Sequence, residues 1–361
     1  MEKVSEEVVE DILLRLPVDS LVRCKYVSKH WLSLICNPSF VKLHLKQSKA
    51  KNNGTLILGS FTGLYFSIHD VNENVDDHAL KLEYPFNLEA KVVRFIGSCD
   101  GLILILLSDY NMLLWNPATR DFKILPGHGG YFSLRGFGYD ELSDDYKVIS
   151  QGIRINSRVS EVSTYALCKD SWSVVKTNFP NVDYGTEHPG IFVNGILHWK
   201  VGRHHTKLTK CSIIISLDLR DEKFREVSHP KLEVGITSWD LGVLGGNLCV
   251  QYYSYMCFAD VWVMRDYGRA ESWTKLFCFK YQLIRSLSHM KLLQVLKNGD
   301  FLLRINGYDL FVYNAKHQRC EVISNTPFRI VEAEAYVQSL ISLGAENGIK
   351  RKATRSKRQR I

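Results

Sequence analysis

Long apolar stretches are missing from this sequence. Its longest uninterrupted aliphatic run is Leu102–Leu107, far below the ~20 apolar residues that a membrane-crossing helix needs, so no membrane span is expected. No secretion signal is expected either, because Glu2, Glu6 and Glu7 make the amino terminus acidic where such a signal is basic and then apolar. Cysteines are present but unpaired in spacing. Nine of them, an odd number, are scattered from Cys24 to Cys320 with no C-x-x-C pair. Reduced, mostly buried thiols in the cytoplasm or nucleus are therefore expected. In that compartment the sequon Asn53-Gly54-Thr55 has no glycan to accept.

Acidic residues are absent from one place that matters. The chain has a net charge of +8, but Lys350, Arg351, Lys352, Arg355, Lys357, Arg358 and Arg360 supply +7 in the last twelve residues, leaving +1 for residues 1–349. A neutral body argues against a nucleic-acid binder, since such proteins spread positive charge over a folded face. The tail reads instead as a nuclear-import signal, with an inert solvated tail as the plainer alternative.

What is present falls into two periodicities. In residues 5–16, Val8, Val9, Ile12, Leu13 and Leu16 share one arc of a helix whose other side carries Glu6, Glu7, Glu10, Asp11 and Arg15. Ser5 suits the N-cap, and Pro17 ends the helix. Asp19 or Ser20 begins a second segment with apolar Leu21, Val22, Cys24, Tyr26 and Val27 pointing several ways. Ser28 caps a third with Trp31, Leu32, Leu34 and Ile35, which Asn37-Pro38 breaks before Phe40, Val41, Leu43 and Leu45. Some forty residues bury too little surface to stand alone, so these helices need a helical partner or the rest of the chain.

Beyond Asn53-Gly54 the period shortens to strands: Thr55–Leu58, Leu64–Ile68, Leu102–Leu107, Met112–Trp115, Ile213–Leu217, Leu248–Tyr253 and Phe301–Ile305. Turn glycines Gly101, Gly195, Gly246 and Gly299 precede apolar strands at spacings of 94, 51 and 53, and Gly138-Tyr139-Asp140 lies in the wide gap. A period near 50 with several short strands per repeat predicts a β-propeller of six blades, with five to seven as the range; a β-sandwich is the lesser alternative.

Leu16-Pro17, Leu21-Val22-Arg23-Cys24, Val27-Ser28-Lys29, Trp31, Ile35, Asn37-Pro38-Ser39-Phe40 and His44-Leu45 closely resemble an F-box, although Val4-Ser5 stands where many F-boxes read Leu-Pro. Gly97–Leu102, Trp115–Arg120, Gly136–Asp140, Asp145–Val148, Asp170–Trp172 and Val193–Trp199 resemble the F-box-associated domain of plant F-box proteins, most of all the branch of the constitutive-immunity and pollen S-locus members. The resemblance implies an α+β multidomain chain: a helical F-box over 1–48, an F-box-associated propeller over 54–343 and a basic disordered tail over 344–361.

It also implies a non-catalytic substrate receptor of an SCF-type cullin-RING ubiquitin ligase. The head would dock a Skp-type adaptor, and through it cullin and RING subunits, by way of Leu13, Leu16, Pro17, Leu21, Val22, Val27, Trp31 and Ile35. The propeller would hold a protein target such as an immune receptor or other defence component, and the implied location is cytoplasm and nucleus. The alternative is a propeller outside any ligase that binds a small ligand or protein partner.

Sites for chemistry are few. Gly97-Ser98-Cys99-Asp100-Gly101 has the form of a hydrolase elbow, but the apolar run after it reads as a strand where the elbow needs a helix. His204-His205, with His198 and Cys211, would point to opposite faces of a strand rather than to one ion. Gly242–Asn247 and Pro126–Gly130 lack the residues of a phosphate loop. Asp140, Glu141, Asp144 and Asp145 read as a solvated loop, and Tyr252, Tyr253, Tyr255, Phe258 and Trp262 as packing between blades. No cofactor, metal or catalytic residue is expected.

Overall fold

The computed structural model describes residues 5–51, 55–60, 63–68, 80–82, 94–107, 111–127, 134–153, 160–176, 189–204, 210–231, 235–254, 258–280, 290–306, 309–323 and 330–344. Four helices open the chain: α1 (Glu6–Arg15), α2 (Val18–Cys24), α3 (Lys29–Ile35) and α4 (Pro38–Lys51). Ser28 caps α3 by accepting from the Trp31 amide at 3.1 Å, and the Asn37 side chain accepts from Ser39 N at 2.8 Å. Asn37-Pro38 separates α3 from α4 as expected, and Pro38 takes the first position of α4, where a missing amide costs nothing. α2 likewise starts earlier than expected, at Val18 directly behind Pro17, which places Asp19 in its first turn. α4 runs to Lys51, past the expected boundary at residue 48.

The strands follow in sets. β1 (Thr55–Ser60), β2 (Gly63–Ile68) and β3 (Leu80–Leu82) are followed by β4 (Arg94–Cys99), β5 (Leu102–Leu106), β6 (Met112–Asn116) and β7 (Asp121–Ile124). Next come β8 (Arg135–Asp140), β9 (Asp145–Ile153), β10 (Ser160–Ala166) and β11 (Ser171–Val174), then β12 (Ile191–Val193), β13 (Ile196–His204), β14 (Lys210–Asp218) and β15 (Phe224–Val227). The last are β16 (Ile236–Leu244), β17 (Asn247–Ser254), β18 (Phe258–Met264) and β19 (Trp273–Lys280), and β20 (Met290–Val295), β21 (Phe301–Ile305), β22 (Asp309–Asn314), β23 (Arg319–Val322) and β24 (Ile330–Ala335).

They pair into six four-stranded antiparallel sheets, within the expected range of five to seven blades. The innermost strands β4, β8, β12, β16, β20 and β24 touch in succession around a ring. Closure joins the two ends of the domain: β24 pairs with β1 in the register Leu56↔Ala335 to Ser60↔Ile330, so one sheet takes its inner strand from the end of the chain. No strand edge is then left open between first and last blades.

Each interface between neighbouring blades holds its own apolar cluster. A seventh cluster joins Leu13, Leu14, Val18, Leu21, Ile35 and Phe40 of the helices to Leu340, with Ala118 against it. Residues 336–344, which follow β24, act as a strap, since Tyr336, Leu340 and Leu343 each enter a different one of these clusters.

The turns explain the period, with one correction. The repeat expected at Gly138-Tyr139-Asp140 lies inside β8; the turn falls four residues on, where Asp144 takes φ 52° without being a glycine. Gly138 serves close packing, because a Cβ there would stand 2.3 Å from the Phe192 ring. A second set of left-handed residues, Arg120, Asp170, Glu222, Gly268 and Gln318, recurs at intervals of 50, 52, 46 and 50 in the turns before five of the six outermost strands, β7, β11, β15, β19 and β23.

Candidate functional site

α1 is apolar on two sides. Leu13 and Leu14 are buried and Val9 and Leu16 partly so, against the head's own core, while Val8 and Ile12 stay about half exposed. The α2–α3 turn leaves Tyr26 at 88% and Val27 at 64% exposure, and Leu32 on α3 is exposed as well. Apolar residues held in water by secondary structure mark a surface built for a partner. Of the residues expected at the adaptor interface, Leu13, Leu21 and Ile35 are fully buried and hold the helices together. Leu16, Val22 and Trp31 are half-buried, and Pro17 and Val27 are exposed. Val8, Ile12, Tyr26 and Leu32 extend the accessible set. The first two sat in the same helical arc as Leu13, and the period alone does not separate them from it.

The other side of the head is clamped to the propeller. Lys49 on α4 pairs with Asp100 in the β4–β5 turn at 2.5 Å, and Lys42 pairs with Asp144 in the β8–β9 turn at 2.6 Å. Asp100 is nearly buried and also accepts from the Tyr146 hydroxyl at 3.2 Å. The buried His44 ring bonds the Leu16 carbonyl at 2.9 Å, holding α4 against the end of α1. A cavity of about 180 Å³ lies between Leu14–Val18, His44 and the strap residues Tyr336–Gln338.

Asn116 fastens the strap itself. Fully buried, its side-chain amide donates to the Ser339 and Ile341 carbonyls at 3.1 and 2.8 Å, and its oxygen accepts from Ala118 and Thr119 at 3.0 and 3.4 Å. Every one of these contacts lies at the face where the innermost strands end: β4 runs into Asp100, β8 toward Asp144 and β24 into Tyr336.

The opposite face therefore carries no head. There, where the innermost strands begin, the central channel opens into a cavity of about 200 Å³ lined by Arg94, Ile191, Lys200, Asp240, Lys291, Arg304 and Glu332 among others. A second cavity of about 370 Å³ shares Ile191, Leu241 and Lys291 with it and continues inward past Gly97, Gly242 and Gly245.

Comparison with known proteins gives two matches in the same order as these units. The F-box domain family matches residues 2–43, and the F-box associated beta propeller domain matches residues 61–347. This chain belongs to the F-box proteins that carry an F-box-associated propeller. Among relatives of this F-box protein is "F-box protein CPR1" of Arabidopsis thaliana, 30% identical over 94% of this chain and 89% of that one. The Arabidopsis thaliana "F-box/kelch-repeat protein At3g23880" is also 30% identical, over 93% and 94%. A chain of a nidogen/laminin complex covers 79% of this chain, with 99% of its own length matched and a TM-score of 0.51 at 10% identity, a likeness of fold alone.

Residues singled out for chemistry take structural roles. Asp100-Gly101 is a tight turn between two strands, with φ of 54° and 83°, and no helix follows to activate a nucleophile. Burial, reinforced by the Asp100 charge, pushes the Cys99 thiol well above its ordinary pKa. His198 is buried, bonding the Ile191 carbonyl at 3.2 Å and the Tyr267 hydroxyl at 2.7 Å. His205 lies outside the described residues.

Half of the acidic cluster is the solvated loop expected, since Glu141 and Asp144 are exposed in the β8–β9 turn, and half is not. Asp140 is buried against Lys147 at 3.0 Å, Asp145 is buried and accepts from Cys168 N at 3.0 Å, and Asp144 holds the head. Asp140 and Asp145 stand directly opposite each other at the ends of β8 and β9 and are buried together, whereas Glu141 and Asp144 lie in the turn between them. Tyr252 and Tyr253 are buried and Phe258 and Trp262 half-buried, while Tyr255 lies outside the described residues. No described group of three or more His, Cys, Asp or Glu is placed to hold a metal, and no described helix is long and apolar enough to cross a membrane. Lys350–Arg360 also lie outside the described residues.

Proposed function

We propose that this F-box protein is the substrate-receptor subunit of an SCF-type cullin-RING ubiquitin ligase. The exposed side of the head, Val8, Ile12, Pro17, Tyr26, Val27 and Leu32, binds the Skp-type adaptor, which links it to cullin and RING subunits. The propeller binds a protein target on the face away from the head. Ubiquitin transfer is then a matter of proximity, since a lysine held near the charged conjugating enzyme reacts at raised effective concentration. The target class is an immune receptor or other defence component, and the basic tail Lys350, Arg351, Lys352, Arg355, Lys357, Arg358 and Arg360 directs part of the protein to the nucleus; both rest on the sequence alone.

One observation carries the adaptor reading: the head keeps a set of large apolar side chains in water on the elements that do not clamp it to the propeller. The test is co-purification of the full chain with a Skp-type adaptor, wild type against Ile12→Glu and Val27→Glu. Both positions are more than half exposed, so folding is unaffected and only the interface acquires charge. Stoichiometric binding by the wild type, weakened at least about tenfold by each variant, supports the reading. A wild type that does not bind the adaptor, or variants that bind it equally well, would refute it.

A further inference from the structure

The channel mouth is unusual in its charge balance. Four cations, Arg94, Lys200, Lys291 and Arg304, face it together with Asp240 and Glu332, and Glu334 joins from the adjoining cavity. The carboxylates are already matched: Glu332 lies 3.4 Å from Arg304, Glu334 pairs with Lys291, and Asp240 lies 4.0 Å from Lys200 and accepts from the Tyr253 hydroxyl at 3.1 Å. Arg94 makes no ion pair among the described residues, and among the described lining residues it is the surplus charge.

The other cations are held out of water as well as paired. Lys200 donates to the Trp239 carbonyl and sits 4.9 Å from the Trp239 ring centroid, and burial draws its pKa below the ordinary lysine value despite Asp240. Arg304 is nearly buried. A cation-rich cavity with low exposure and its acids already spoken for favours one kind of guest, an oxyanion, which a guanidinium binds through a charge-assisted fork. Strand positions also fix it, because the four cations stand on β4, β13, β20 and β21 of the rigid ring rather than on loops.

We infer that the channel mouth is the anchor site for an oxyanion, a phosphorylated or acidic side chain, presented by the protein that the propeller captures, with Arg94 as its principal contact. This rests on the substrate-receptor reading and gives it a recognition chemistry. The occupant is a side chain of a protein because the cavity opens on the face without the head, in the middle of the surface available to a target.

The test uses the full chain bound to its adaptor and three immobilised degenerate peptide libraries with phosphoserine, glutamate or serine at a fixed centre. Retention of the phosphoserine or glutamate library over the serine library, reduced about tenfold to a hundredfold by Arg94→Ala and abolished by Arg94→Glu, is the expected result. Arg94 is half-exposed on a strand end, and circular dichroism of both variants checks that the propeller is intact. Equal retention of all three libraries, or retention untouched by Arg94→Glu, overturns the inference. So does binding of inorganic phosphate alone with no library retained, which would make the site one for a free anion. Adaptor binding is scored on the same samples, so that loss of the ligase reading is seen separately from loss of the anion site.

Discussion

Asn116 is the residue whose removal should report most directly on how the head is held. Its four hydrogen bonds tie the β6–β7 turn to the strap at residues 339 and 341, and the strap in turn places Leu340 in the head's core. Asn116→Ala leaves two carbonyls and two amides without partners. Ser339 is fully buried, so its carbonyl bears the full cost of about 1–3 kcal/mol for an orphaned group. Ile341, Ala118 and Thr119 are half-exposed and recover part of their bonds from water.

The sum is a local loss of about 2–4 kcal/mol, which raises the opening equilibrium of the strap roughly 30-fold to several hundred-fold. Native-state hydrogen exchange reads this without assuming two-state unfolding of so large a chain. Amides of 336–344 and of α4 should exchange faster, while the sheets around β12–β19 are unchanged. Asn116→Asp keeps the acceptor for the turn amides but sets a carboxylate against two carbonyls, so it should loosen the strap more than alanine does. Exchange in 336–344 within threefold of wild type for both variants would show that the strap is held by its apolar residues alone.

Two further predictions separate effects that look alike in the structure. Lys49→Ala strips its ion partner from a nearly buried carboxylate and should cost about 2 kcal/mol of head docking, whereas Lys42→Ala breaks a pair exposed on both sides and should cost about 0–1 kcal/mol; limited proteolysis between α4 and β1 ranks them, and equal sensitivity would refute the burial argument. Burial pulls His198 from 6.5 down to about 4, so between those pH values the unfolded chain binds a proton that the folded chain refuses. Stability therefore falls as pH drops through that window, by up to about 3 kcal/mol, and is unaffected by this group above it. Denaturant midpoints of wild type and His198→Gln from pH 7 to 4 should converge toward acid, and parallel curves would show that His198 protonates in place.

Local patterns and the repeat near 50 residues were legible, while contacts between distant segments were not. The head's helices, their breaks near Pro17 and Asn37, and strands such as Leu102–Leu106 follow from short-range periodicity and backbone chemistry, which one stretch of sequence contains in full. The turn at Asp144 was hidden because an aspartate there takes the left-handed conformation that a search for glycine overlooks. Gly136 and Gly138 stood out as a motif, yet their cause, the Trp199 and Phe192 rings of the next blade, lies more than fifty residues away. The strap has no period at all, and its burial depends on three clusters assembled by the rest of the fold. The channel cations left one faint trace, a charge interrupting an apolar strand, as Lys200 does beside Trp199 and Val201 and Arg304 does beside Leu303 and Ile305.

Rigidity is what connects these details to the proposed role. A receptor that works by proximity gains only if the distance and direction from adaptor to target are restricted, since effective concentration falls as the linked parts explore more volume. A head joined by a loop alone would move over the whole turn face. Here α4 continues to Lys51, two ion pairs fix it to neighbouring blades, and the strap adds Leu340 beneath it. Closing the propeller with β24 is what delivers residues 336–344 to that position, so the same strand that completes the ring also supplies the clamp. The channel mouth is thereby held on the far side of a stiff ring from the proposed adaptor surface, and in that role a target lysine would reach the conjugating enzyme according to where the target binds rather than how the receptor bends.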